Sequence, residues 1–249
     1  MNPTGRFADR ATDYVVGRPS YPDAAIDVLF EGLGDTADVL VADVGAGTGI
    51  SSRLLAARGA RVLAIEPNAA MRDAAEPHPL VEWMAATGEW TGLSEASVDL
   101  VTAFQAFHWV DHRKALREFV RILRPGGRAA VVYNERDERD PFTAEYGALV
   151  RRYQTDDTEK RRLEAQAAFE AFEGWHKPRR LTFRNEHVLD SAGISARTSS
   201  TSYLPKVGSA AEALQEEAHG LVARYALNGL VRLVMKTIVI VGDVGGDGG

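Results

Sequence analysis

The sequence predicts an α/β fold in which amphipathic helices cover both faces of a parallel sheet, and three observations carry this. From residue 39 onward, short apolar runs alternate with amphipathic stretches, the pattern of consecutive βα units. The first run, VLVADV (39–44), is continuously apolar, as a strand covered on both faces must be. A glycine-rich turn, DVGAGTG (43–49), joins that run directly to a helical pattern, the place where a doubly wound sheet holds a nucleotide.

The elements follow in order. Ile50, Leu54 and Leu55 fall at helical spacing after the first strand, and Gly59 offers a C-terminal cap. RVLAIE (61–66), VEWMA (81–85) and VDLVTAF (98–104) read as the second, third and fourth strands. Asp111 is placed to cap a helix whose apolar face is Ala115, Leu116, Phe119, Val120 and Leu123. RPGG (124–127) stops that helix, and RAAVVYN (128–134) is a fifth strand. The rhythm then changes, with two helical patterns, Phe142/Tyr146/Leu149/Tyr153 and Ala165/Phe169/Phe172/Trp175. Their aromatic stripes read as faces packed on a core. Strand character returns at LTFRNEHVL (181–189), followed by a Ser/Thr-rich stretch, a helix near 209–225 and the apolar run VRLVMKTIVIV (231–241). GDVGGDGG (242–249) reads as a flexible tail.

With 249 residues, 45% hydrophobic and 26% charged, the chain can bury one large core but not two ordinary domains. The expected organisation is a single domain over 1–241: an N-terminal segment (1–35), a cofactor-binding core (36–135), a helical insertion (136–180) and a C-terminal part of the sheet (181–241). A net charge of −6 without like-charged runs argues against a nucleic-acid partner. The absence of cysteine removes disulfides, thiolate metal sites and cysteine nucleophiles, and no metal site is expected. No apolar stretch reaches the roughly 18 residues needed to span a membrane, and the first residues carry acids without an apolar core, so a cytoplasmic protein acting as monomer or homodimer is expected.

The glycine loop narrows the ligand. A dinucleotide fingerprint needs a small residue at position 50, where this chain has Ile50 after Gly45, Gly47 and Gly49. Asp43, two positions before the first glycine, would repel a pyrophosphate and suits a ligand with a cationic end. Glu66 closes the second strand and is placed to take the hydroxyls of a ribose.

These residues resemble the class I S-adenosyl-L-methionine-dependent methyltransferases, in particular the type 11 branch. DVGAGTG resembles that family's first motif, Glu66 its ribose acid, TGEW (87–90) its adenine-side loop and LRPGG (123–127) the turn before its fifth strand. The resemblance is strong over residues 5–135. It implies a Rossmann-like, seven-stranded sheet whose last strand, within 231–241, runs antiparallel to the others. It also implies that Asp43, Gly45, Ala46, Gly47 and Gly49 lie near the methionine end of S-adenosyl-L-methionine, that Glu66 and Pro67 lie by the ribose, and that Gly88 and Glu89 lie along the adenine. For Gly88 and Glu89 a plain surface turn is the alternative.

FADRATDYVVGRPSYP (7–22) is similar to the leader of enzymes like trans-aconitate methyltransferase, where such a segment covers the bound cofactor. That makes Tyr14 and Arg18 candidates for closing the site. Equally, Arg18 pairs with a surface acid and Tyr21 packs on the sheet.

The fourth strand runs out into Gln105, His108 and Trp109 at the end that faces cofactor and acceptor. Gln105 is a candidate contact to either ligand, and Trp109 a flat wall for a sulfonium or an apolar acceptor. His108 reads as a catalytic base or as part of the pocket wall. Methyl transfer needs a base only when the acceptor holds a proton it does not readily lose, so a carboxylate acceptor needs none. Between 151 and 184 lie nine lysines and arginines against six acids, an excess that leans towards an anionic acceptor. The expectation is methylation of a small molecule at oxygen, a carboxylate being one candidate. Carbon or nitrogen transfer and a non-catalytic cofactor-binding subunit stay open.

Overall fold

The computed structural model describes residues 19–245. Strands β1 (Leu40–Val44), β2 (Arg61–Ile65), β3 (Val81–Met84) and β4 (Val98–Phe104) are parallel and stand where the apolar runs place them. β5 (Leu123–Arg136) is longer than expected at both ends. The RPGG turn stops the helix as predicted, but β5 already pairs at Leu123 with Val98. Residues 124–127 then bulge before pairing resumes at Arg128 with Leu100. β6 (His176–Leu189) begins five residues earlier than its apolar pattern, because HKPRR is an exposed edge held by main-chain pairing to its neighbour. The last strand, β7 (Val231–Asp243), lies between β5 and β6 and runs antiparallel to both. The sheet order is β3-β2-β1-β4-β5-β7-β6, a Rossmann-like doubly wound arrangement.

β7 also passes the expected start of the tail. Gly242 pairs with Ala129, and the Asp243 carboxylate takes the Arg128 Nε at 2.6 Å. Arg128 is buried and donates as well to the carbonyl of Glu31 at 2.7 Å. It therefore ties the strand end to the chain leaving α1 (Asp23–Phe30).

One face of the sheet packs on α1 and α2 (Ile50–Ala56) through Ile26, Leu29, Leu55 and Val41. Short α3 (Ala69–Asp73) follows β2, capped by the Asn68 side chain. The other face packs on α4 (His112–Ile122), whose N-cap is Asp111 as predicted; its side chain accepts from the Lys114 N–H at 3.1 Å. Phe107, Phe119, Phe169 and Trp175 fill that face.

The region expected as a helical insertion holds α5 (Pro141–Tyr153) and α6 (Thr158–Glu170). The Ser/Thr-rich stretch contains a helix the pattern does not reveal, α7 (Ser191–Ser200), started by Asp190 accepting from Gly193 N–H at 2.7 Å. α8 (Ser209–Tyr225) lies where expected. The β6–β7 ladder continues beyond the last β5 pair, Arg136 with Met235, to Leu189 with Val231. That overhang carries a third core, in which Phe142, Tyr146, Ile194, Leu221 and Met235 bury one another above the C-terminal ends of the parallel strands. Helices α5, α7 and α8 thus form a roof, and the site lies beneath it. Among the described residues no helix is long and apolar enough to cross a membrane.

Candidate active site

The strand order changes direction between β1 and β4, and a doubly wound sheet opens a crevice at such a point. A cavity of about 520 Å³ occupies it. Its floor is the C-terminal ends of β1, β2, β4 and β5; its far walls come from α5, α6 and the 201–203 segment.

On the near side, Gly45, Gly47 and Gly49 all have positive φ (+70°, +58°, +78°), which lets the chain turn sharply from β1 into α2. Gly45 is also pressed by its surroundings: a Cβ there would stand 2.4 Å from the Ala106 Cβ. Its N–H donates to the Ile65 carbonyl at 2.8 Å, so the loop is latched to the end of β2. Glu66 completes the latch. One carboxylate oxygen accepts from Gly47 N–H at 3.0 Å and the other from Asn68 N–H at 2.9 Å, while the carboxylate still borders the cavity. Burial pushes the Glu66 carboxyl above its usual range, against the pull of those two donors and of Arg72.

Ala46, Gly47, Glu66, Pro67, Gly88, Glu89, Gln105, His108 and Trp109 all line this cavity together with Gly45. Two predicted residues do not. Gly49 is turned away, its missing side chain facing Trp83 and Arg53. Asp43 is fully buried beneath the loop, where its carboxylate accepts from the hydroxyls of Ser51 (2.7 Å), Ser52 (2.6 Å) and Thr102 (2.8 Å). The expectation that Asp43 approaches the ligand is therefore corrected. It binds β1 to β4 and α2 from below, and burial raises its pKa despite the three donors. Tyr14 and Arg18 lie outside the described residues, as does most of the leader. Of its end, Pro19 and Tyr21 line the cavity, and Tyr21 packs edge-on against Phe104 with ring centroids 4.8 Å apart.

Gly88 and Glu89 form the two-residue turn of a small hairpin between Thr87 and Trp90. A Cβ on Gly88 would stand 2.9 Å from Val44 Cγ1, so the turn closes tightly on the end of β1. Glu118 holds this loop from behind by accepting from both the N–H (2.9 Å) and the hydroxyl (2.6 Å) of Thr91. The Glu89 carboxylate accepts from Asp111 N–H at 2.9 Å and links the loop to the segment after Trp109.

Gln105 is one of the few non-glycine residues in left-handed backbone, at φ +54°. The strain is held by its N–H on the Val132 carbonyl (2.8 Å) and its side-chain Nε2 on the Asn134 carbonyl (3.2 Å). That conformation ends β4 abruptly and turns 105–109 across the cavity. His108 is buried, its ring tilted against Trp109 (4.7 Å) and facing Tyr133 (5.9 Å). Trp109 offers less open wall than expected, because Arg161 covers its ring at 5.1 Å.

The far side is what sequence reasoning missed. Asn134, Glu135, Arg136 and Glu138 come from the end of β5 and beyond, Arg151 from α5, Glu159 and Arg162 from α6, and Arg197 and Tyr203 from the α7 region. The basic excess between 151 and 184 was the available signal, and it is diluted: Arg151 and Arg162 reach the cavity, whereas Arg152, Arg179 and Arg180 pair outside with Glu217, Glu31 and Glu170.

The near side presents to a ligand a glycine turn, a carboxylate with free lone pairs and a buried, unpartnered Thr48 hydroxyl at the cavity wall. The family described as "Methyltransferase domain" matches residues 42–131, the segment that builds this side. Residues 42–131 are thus similar to a methyltransferase domain. A relative in Mycobacterium bovis, named as an uncharacterized methyltransferase, is 42% identical over 149 residues, 59% of each chain. One in Schizosaccharomyces pombe, named as methyltransferase-like, is 31% identical over 153 residues, 60% of this chain and 59% of its own. The chain thus spans about three fifths of the length of these curated relatives. A solved structure of a candidate type II methyltransferase from Anaeromyxobacter dehalogenans superposes with a TM-score of 0.71 at 25% identity, over 92% of this chain and 99% of that one. Methyltransferase domains of this class take S-adenosyl-L-methionine as methyl donor, and the near side of the cavity fits it.

Proposed function

We propose that the whole chain is an S-adenosyl-L-methionine-dependent methyltransferase that acts on a small anionic molecule, at oxygen. The observation that carries this reading is the two-sided cavity: a methyltransferase cradle on one side opens into a chamber under the helical roof that Arg136, Arg151, Arg162 and Arg197 all line. Gly45, Ala46, Gly47, Thr48 and Glu66 would hold the donor, with Pro67 beside the ribose and the Gly88–Glu89 turn along the base. S-adenosyl-L-methionine, when bound, supplies a methyl group already activated by its sulfonium.

The protein's own part is then alignment and exclusion of water, which for well-oriented reactants contributes on the order of 7–11 kcal/mol. The 105–109 segment, held by the Gln105 bonds to β5, stands between the two sides and sets the line of approach. The roof helices keep the chamber dry, which strengthens its electrostatics. An ionised carboxylate held there attacks without losing a proton, and His108 serves as wall. Tyr14 and Arg18, at the other end of the chain, are assigned to covering the donor.

The test is to incubate the pure protein with S-adenosyl-L-methionine and matched carboxylic acids, phenols and amines, following S-adenosylhomocysteine and the mass of the product. Base-labile methyl esters are expected, with kcat of His108→Ala within about threefold of wild type. Products methylated at carbon or nitrogen refute oxygen transfer. A fall of about 10²–10⁴-fold in His108→Ala with donor affinity intact makes His108 a general base.

A further inference from the structure

The chamber's charges are not equivalent, and the bonds they make set Arg162 apart from Arg136 and Arg151. Arg136 is half-buried and paired with Glu159, which Tyr203 also approaches, and Arg136 lies 3.8 Å from Glu138. Arg151 forks onto Glu138, its second nitrogen at 3.2 Å. Glu135 is drawn outward: its carboxylate accepts from Gln166 Nε2 at 2.6 Å, and Gln166 in turn accepts from Arg180 on β6 at 2.9 Å. The carboxylates that border the chamber under the roof therefore already have partners. Arg162 differs. Among the described residues no carboxylate lies within ion-pair distance of it, and its contacts are the Asn134 carbonyl at 2.8 Å and the face of Tyr133 at 5.5 Å. Its Nε is buried and without a hydrogen-bond partner.

Those two contacts also place it. The Asn134 carbonyl that takes Arg162 is the one that takes Gln105, and the Tyr133 ring beneath Arg162 faces His108. The guanidinium is thus pinned by two neutral neighbours over the ends of β4 and β5, beside the segment where donor and acceptor meet. A planar guanidinium with unused donors suits a carboxylate, whose two oxygens it takes in parallel.

We propose that Arg162 is the specificity-determining residue of the acceptor chamber and binds the anionic group, a carboxylate, of the acceptor. This deepens the reading above and rests on it for the identity of the chamber. The test separates the two. Calorimetry on protein saturated with S-adenosylhomocysteine compares three carboxylate and amide pairs of equal shape: propionate with propionamide, succinate with succinamide, benzoate with benzamide. At least one carboxylate is expected to bind tenfold or more tightly than its amide, and Arg162→Gln to reduce that preference below threefold with S-adenosylhomocysteine affinity and melting temperature unchanged. Arg162→Lys, which keeps the charge and loses the fork, is expected to fall between the two. Amides binding as well as acids in all three pairs, or a preference that survives in Arg162→Gln, overturns the assignment. Methylation found at carbon or nitrogen refutes oxygen transfer and leaves this binding result standing on its own.

Discussion

Replacing Gly45 by alanine tests the tightest contact in the site. Two costs follow from the structure. Gly45 sits at φ +70°, and left-handed backbone costs an L-residue about 1–2 kcal/mol. The new Cβ would stand 2.4 Å from the Ala106 Cβ, an overlap that costs about 1–3 kcal/mol in a packed site. Neither neighbour yields easily. Gly45 N–H is fastened to Ile65, and Ala106 follows the left-handed Gln105 whose N–H is fastened to Val132. The sum is about 2–5 kcal/mol, a large part of the 5–15 kcal/mol by which domains are ordinarily stable. Gly126→Ala isolates the first cost, because Gly126 has φ +77° with open space around it. Urea unfolding should therefore show Gly45→Ala destabilised by at least 1 kcal/mol more than Gly126→Ala, and calorimetry should show weaker S-adenosylhomocysteine binding. Equal midpoints for the two variants would refute the close approach of the loop to Ala106.

Three further outcomes are expected. Glu66→Gln removes charge-assisted hydrogen bonds of about 1.5–3 kcal/mol and should weaken S-adenosylhomocysteine binding about 10- to 150-fold by calorimetry; a change under threefold would take Glu66 out of the donor site. Asp43 is an acid whose folded pKa burial has raised, so the folded state binds its proton more tightly than the unfolded chain, and its contribution to stability falls as pH rises from the ordinary carboxylate range through the raised value. The stability of Asp43→Asn minus that of wild type should accordingly grow with pH across that window in urea melts, and a flat or falling difference would count against the buried placement. Asp243→Ala should destabilise by about 1–3 kcal/mol, less than a fully buried pair because Asp243 is a third exposed; an unchanged midpoint would mean that the end of β7 does no structural work.

The near side of the site was legible in the sequence because its parts are local. A strand, three glycines and a helix follow one another within seventeen residues, and Glu66 needs only the next strand to reach the Gly47 N–H. Asp43 shows where local reading stops. Its position before the loop suggested a ligand contact, but the hydroxyl of Thr102, 59 residues away, closes it into the core. The helix at Ser191–Ser200 has no apolar periodicity to announce it and exists because Asp190 caps it and Ile194 enters the third core.

The sequence by itself determined the parallel core, the glycine turn at the cavity and the acid beside it, since periodicity of apolar residues and the backbone freedom of glycine act over a few residues at a time. Only the tertiary structure decided what lines the far side of the cavity. The insertion of β7 between β5 and β6 creates the overhang on which the roof is built, and the roof brings Arg151 and Arg197 over the chamber that Arg136 of β5 and Arg162 of α6 also line, from segments up to about sixty residues apart. Which of those charges is left for a ligand depends on which carboxylates stand within a few ångströms of it, and burial and distance, unlike composition, are properties of the folded chain.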